Sequence, residues 1–170
     1  MTEVILTYTY KGETKKYSSE ELKAVWFTKV GCDSIPKIYE SVRAQKRMSS
    51  IWNKKPKAYK KPVFLRLIYN GENVKGYIRP MTDFTHGQTM SVRTNTYMFY
   101  YLTKDSDVAV AYWYDSCDFI PAMRKVMKFY FREFPELVEM VENKELTPKE
   151  FRSNSTIVLP LMDKFYKPKE

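Results

Sequence analysis

Apolar and polar positions alternate along residues 3–10, where Val4, Leu6, Tyr8 and Tyr10 recur at period two. Lys11-Gly12-Glu13 is a turn signal, and residues 14–17 return as a second strand. Ser18-Ser19-Glu20-Glu21 has the spacing of a helix-capping box. Residues 22–30 fit either a short helix or a strand, and a second segment decides between them. Residues 24–36 and 109–121 align without gaps, with six identities in 13 positions. Both close on Cys-Asp-x-Ile-Pro, as Cys32-Asp33-Ser34-Ile35-Pro36 and Cys117-Asp118-Phe119-Ile120-Pro121. The later copy follows the β-branched and aromatic run 108–114, so residues 24–30 read as a strand as well. Each motif then marks a strand handing over to a helix, with Asp33 or Asp118 capping the first turn and the proline tolerated inside it. The pair leaves two readings open, an internal pseudo-duplication or a coincidence of a five-residue pattern.

Two amphipathic helices follow from this pattern. In residues 34–53, Ile35, Ile38, Tyr39, Val42, Met48, Ile51 and Trp52 make a stripe, with Arg43, Lys46 and Arg47 on the other side. In residues 118–134, Phe119, Ile120, Met123, Val126, Met127, Tyr130, Phe131 and Phe134 recur at three- and four-residue spacing. Between them, residues 54–62 form a basic, proline-bounded loop. Residues 63–69 are a strand, Asn70-Gly71 a hairpin turn, and residues 73–79 its return. Residues 80–87 read as a loop, and 88–95, 96–103 and 108–114 as further strands. Near the end, residues 136–143 read as an acidic helix and Thr147 as the cap of another. Residues 156–161 suggest a late strand, and 164–170 a tail. The expected fold is α+β: an antiparallel sheet of six to eight strands, two main helices and a helical C-terminal part, in one domain over residues 1–163.

At 170 residues with 44 % hydrophobic composition, the chain can bury a core without disulfides or metal. Two cysteines are too few for a disulfide scaffold. No signal peptide or membrane span is visible, so the expected compartment is the cytoplasm. Tyrosine is abundant, with 14 copies, while glycine has only five. This Lys- and Tyr-rich, Gly-poor composition resembles that of proteins from AT-rich phages or mobile elements.

Charge changes the picture most. The net charge is +9, and residues 37–61 hold nine basic side chains against the single acid Glu40, leaving the rest of the chain near neutral. Residues 133–150 reverse the sign, with six glutamates against Lys144 and Lys149. Clustered cations attract polyanions by releasing their counterions. The expected partner is therefore nucleic acid or another polyanion. Arg43, Lys46, Arg47, Lys54, Lys55, Lys57, Lys60 and Lys61 are the candidate phosphate contacts, and Trp52 and Tyr59 the candidate stackers. A competing reading is a structural or assembly protein, for instance a virion-associated one, in which the basic segment of one copy meets the acidic segment of another to form a homo-oligomer.

Catalytic patterns are weak. There is no phosphate-binding glycine loop, dinucleotide fingerprint, nucleophile elbow or His-Glu-x-x-His. His86 is the sole histidine. Pairing it with Cys32 or Cys117 gives a formal nucleophile and base, and Asp33 and Asp118 could add metal ligands if the two motifs met. Asp105, Asp107, Asp115 and Asp118 are formal Mg²⁺ ligands, although turns and caps explain them more simply. The expectation is a non-enzymatic protein without metal or cofactor.

Overall fold

In the computed structural model the described residues are 5–27, 37–46, 57–86, 92–104, 107–114, 128, 131–147, 149–150 and 154–167. Eight strands carry the architecture: β1 (Ile5–Tyr10), β2 (Glu13–Ser18), β3 (Ala24–Phe27), β4 (Lys37–Ala44), β5 (Val63–Asn70), β6 (Lys75–His86), β7 (Val92–Thr103) and β8 (Val108–Tyr114). Two short helices follow, α1 (Pro135–Glu142) and α2 (Leu159–Phe165), the second entered through a π-helical turn at Asn154–Val158.

β1 and β2 form a separate two-stranded hairpin. Its turn places Lys11 at φ 49° and Gly12 at φ 83°, the two positive values a type I′ turn requires. The other six strands form one sheet in chain order, and β4 also pairs with β8, so β4–β8 close into a five-stranded barrel. Every neighbour in this meander is antiparallel except the closing pair. An odd number of alternating staves brings the first and last together in parallel, at Arg43↔Val108 and Ala44↔Ala109. One edge of β4 is thus divided: β3 takes residues 37–40 and β8 takes 43–44.

The barrel holds Ala44, Val63, Leu65, Tyr77, Ala109 and Ala111, with Val42, Tyr59 and Leu67 packed against them. The alanines leave room for the Tyr77 ring in a barrel this narrow. Glu40 joins the same network, accepting from Lys75 Nζ at 3.1 Å and from the Tyr77 hydroxyl at 2.7 Å. Burial, and then the hydrogen bond to Glu40, push the Tyr77 hydroxyl pKa far above its ordinary value.

A second core lies between the sheet and the C-terminal segment. Val74, Leu102 and Tyr112 pack there with Phe131, Phe134, Leu137, Val141, Leu146, Val158, Leu159 and Met162. Gly76 permits this approach, since a Cβ at that position would overlap the Leu159 methyls, with Cδ2 at 2.7 Å. Asp163 fastens the layer. Its carboxylate accepts from the backbone N–H groups of Asn73 (2.7 Å), Val74 (2.9 Å) and Glu72 (3.2 Å) and from the Tyr69 hydroxyl (3.1 Å). Burial raises the Asp163 pKa, but these donors together outweigh it and hold the carboxyl below its ordinary value.

The α+β expectation is therefore corrected to a closed β-barrel with short helices. Within the helix expected at 34–53, Lys37–Ala44 form β4 and Gln45 a further bridge, while 34–36 and 47–53 lie outside the described residues. Ile38, Glu40, Val42 and Ala44 have period two, but the inward charge at Glu40 hid it, leaving Ile35, Ile38, Tyr39 and Val42 to imitate a helical stripe. The first Cys-Asp-x-Ile-Pro copy consequently leads from strand to strand. β3 is an edge outside the barrel and β8 a stave within it, so the strands that precede the two motifs hold different places in the sheet. Both motifs lie outside the described residues. Of the expected helix 118–134, Lys128 is helical and residues 131–134 form a turn before α1; the remainder lies outside the described residues.

The expected loop at 80–87 is strand as far as His86, because Pro80 sits where β5 no longer pairs with β6 and its missing donor costs no ladder bond on that side. The late strand expected at 156–161 is helical. Val158, Leu159 and Met162 are buried at helical spacing. Ser18 does meet Glu21 as in a capping box, through N–H (2.6 Å) and Oγ (2.8 Å), yet only a turn follows before β3. Among the described residues no helix is long and apolar enough to cross a membrane.

Candidate nucleic-acid interface

A meander barrel has two ends with different connections. The β5–β6 and β7–β8 turns lie at one end. The β4–β5 and β6–β7 connections, together with the C-terminal end of β8, lie at the other. The first end is covered: Asp163 holds residues 72–74, and Lys104 from the β7–β8 turn pairs with Glu133 over the Phe134 ring. The second end holds the described base of the β4–β5 connection. Beyond β4 the two chains stay paired, with Lys46 N donating to Lys57 O at 3.0 Å and Tyr59 N to Ala44 O at 2.8 Å. On the opposite edge Gln45 N donates to Ala109 O at 2.9 Å, which anchors the hairpin base to the barrel.

The fold divides the basic run that is continuous in sequence. Lys37 starts β4, at the far end from Lys46. Arg43 lies 3.8 Å from Asp107, both well exposed. Lys61 pairs with Glu20 at 2.7 Å. Lys46, Lys57 and Lys60 are exposed around the hairpin base, without a carboxylate partner among the described residues. Tyr59 is half-buried against the barrel core, and two cations lie over its ring: Lys46 Nζ at 5.9 Å from the centroid and Arg79 Cζ at 5.6 Å. Arg47, Trp52, Lys54 and Lys55 lie outside the described residues, as do Cys32, Asp33, Asp105, Asp115, Cys117 and Asp118. His86 ends β6, and of its side chain nothing is described.

Sequence reasoning missed Arg79, an isolated arginine in a strand far from the basic run. Only the topology, which sends the ends of β4 and β6 the same way, brings it to the hairpin. It also missed the ribbon made by β6 and β7 where no further strand pairs with them among the described residues, the six pairs from Met81↔Tyr97 to His86↔Val92. This ribbon extends from the same end as the Lys46–Lys57 pairing.

One cleft is described, of about 420 Å³, beside the divided edge of β4. Glu20, Lys23, Arg43 and Asp107 balance one another on its walls, with Tyr77 and Thr103 deeper. Ser19 Oγ donates to Pro62 O at 2.7 Å and Ser41 Oγ donates to Ser19 O, stapling the rim. These residues offer no nucleophile paired with a base. Among the described residues no three His, Cys, Asp or Glu side chains gather as a metal site.

No protein-family model, curated protein or solved structure matches this chain.

Proposed function

We propose that this is a non-enzymatic binding protein that holds nucleic acid, through its phosphates, at the basic end of the barrel. The observation that carries this reading is the group Lys46, Lys57 and Lys60. These exposed cations lie at one end of a rigid barrel, without a carboxylate partner among the described residues. Arg47, Lys54 and Lys55 fall between them in sequence and extend the charge without a single acid. The β6–β7 ribbon supports a duplex as ligand, since a two-stranded ribbon fits a major groove.

The self-association reading draws less support, because the acidic segment is largely engaged within its own chain. Glu133 pairs with Lys104, Glu136 with Lys167 and Glu142 with Lys128, while Glu150 accepts from Thr147.

Fluorescence anisotropy with labelled duplex and single-stranded oligonucleotides at about 50 and 200 mM salt tests the proposal. Affinity should fall by orders of magnitude between the two salts. The triple variant Lys46→Glu, Lys57→Glu, Lys60→Glu should lose at least about tenfold at low salt, with a salt slope shallower by about two to three. An unmutated protein that binds neither ligand at about 50 mM salt would sink the reading.

A further inference from the structure

Lys75, Tyr77 and Arg79 share one face of β6 by strand alternation, but their polar atoms fare differently. Lys75 and Tyr77 both reach Glu40. Arg79, farther along toward the basic end, has no hydrogen bond or ion pair with any described residue, and its Nη1 is buried without a partner. Its one described interaction is with the Tyr59 ring. A guanidinium carries five N–H donors in a planar fork. Buried donors in folded proteins nearly always find an acceptor, and one left without it is costly. The ring face offsets part of that cost but accepts none of the hydrogen bonds. Lys46 lies over the same ring, so two cations share one half-buried tyrosine.

We infer that Arg79 and Lys46, held by Tyr59, form a seat for one phosphate group of the nucleic acid, an inference that rests on the function proposed above. The Arg79 fork suits two phosphate oxygens at once, and Lys46 adds a point charge from the hairpin. Tyr59 serves as a positioning residue: its ring packs on the barrel core and fixes where both cations stand. The site anchors the polyanion at the mouth of the barrel, so the surface lysines around it add affinity to a defined point of attachment.

The test uses the whole protein, a labelled duplex oligonucleotide, and the variants Arg79→Met and Arg79→Lys. Arg79→Met should bind about tenfold more weakly at about 100 mM salt, with a salt slope shallower by about one. Arg79→Lys should keep the slope but recover only part of the affinity, because it restores the charge without the fork. The melting temperature of Arg79→Met without ligand should equal or exceed that of the unmutated protein, since the substitution removes a buried donor that has no acceptor. Unmutated binding combined with full binding by Arg79→Met would overturn the seat and leave the lysine surface standing. A lowered melting temperature for Arg79→Met would assign the guanidinium to holding the barrel end and would also overturn it. Absence of binding by the unmutated protein would overturn both the seat and the function it rests on.

Discussion

Removing the Asp163 carboxylate should release the C-terminal layer from the barrel. Asp163→Ala deletes the acceptor for three backbone N–H groups and the Tyr69 hydroxyl. Hydrogen bonds to a charged group contribute about 1.5–3 kcal/mol each when their donors cannot rehydrate. Here the turn borders solvent, so water recovers most of that, and a net loss of about 2–3 kcal/mol is expected. For a chain of this length, about 2–4 °C of melting temperature accompanies each kcal/mol, which places the variant roughly 5–10 °C below the unmutated protein at neutral pH.

The pH dependence adds a second check. Asp163 has a folded pKa below its ordinary 3.8, so its contribution is complete above that value and lost as pH falls through the lower folded one. The gap between variant and parent, followed by circular dichroism melts from pH 7 down to pH 3, should therefore narrow only below about pH 4. A difference under about 2 °C at neutral pH, or a gap that stays constant to pH 3, would refute this account of the turn.

Two substitutions probe the backbone at close quarters. Gly76→Ala should cost about 1–3 kcal/mol by driving a methyl into Leu159, and Leu159→Ala in the same chain should recover part of it, which a double-mutant cycle in urea would measure. Lys144 follows α1 at φ 63°, so Lys144→Gly should raise stability by about 0.5–1 kcal/mol, and an unchanged urea midpoint would count against strain at that position.

Much of this architecture is legible where local chemistry agrees with the fold. Lys11-Gly12 and Asn70-Gly71 mark their hairpins, and residues 108–114 and 136–143 match β8 and α1 closely. The failures have specific causes. Glu40 occupies an inward position that alternation expects to be apolar, because Lys75 and Tyr77 meet it there from another strand. Pro80 looks like a strand breaker until the end of β5 is known. Leu159 and Met162 read as helical only once a sheet is present for them to cover. Closure of the barrel leaves no local mark, since it depends on Ala44 and Ala109 meeting across the whole meander. The basic segment was readable as charge, but not its division into Lys61 on Glu20, Arg43 beside Asp107, and the lysines at the hairpin base. Arg79 gave no signal at all, because its distinguishing property is a buried Nη1 with no acceptor among the described residues.

The parallel closure has a consequence for how the chain assembles. Four of the five inter-stave contacts join consecutive strands, while the fifth spans everything between β4 and β8 and rests on two residue pairs. Closing so long a loop for so few bonds delays that contact until the rest of the sheet repays the entropy. The meander should therefore form first as an open, curling sheet, with Ala44 and Ala109 meeting last. In native-state hydrogen exchange the Gln45 amide, which donates to Ala109, should open at lower free energy than the amides shared by β6 and β7.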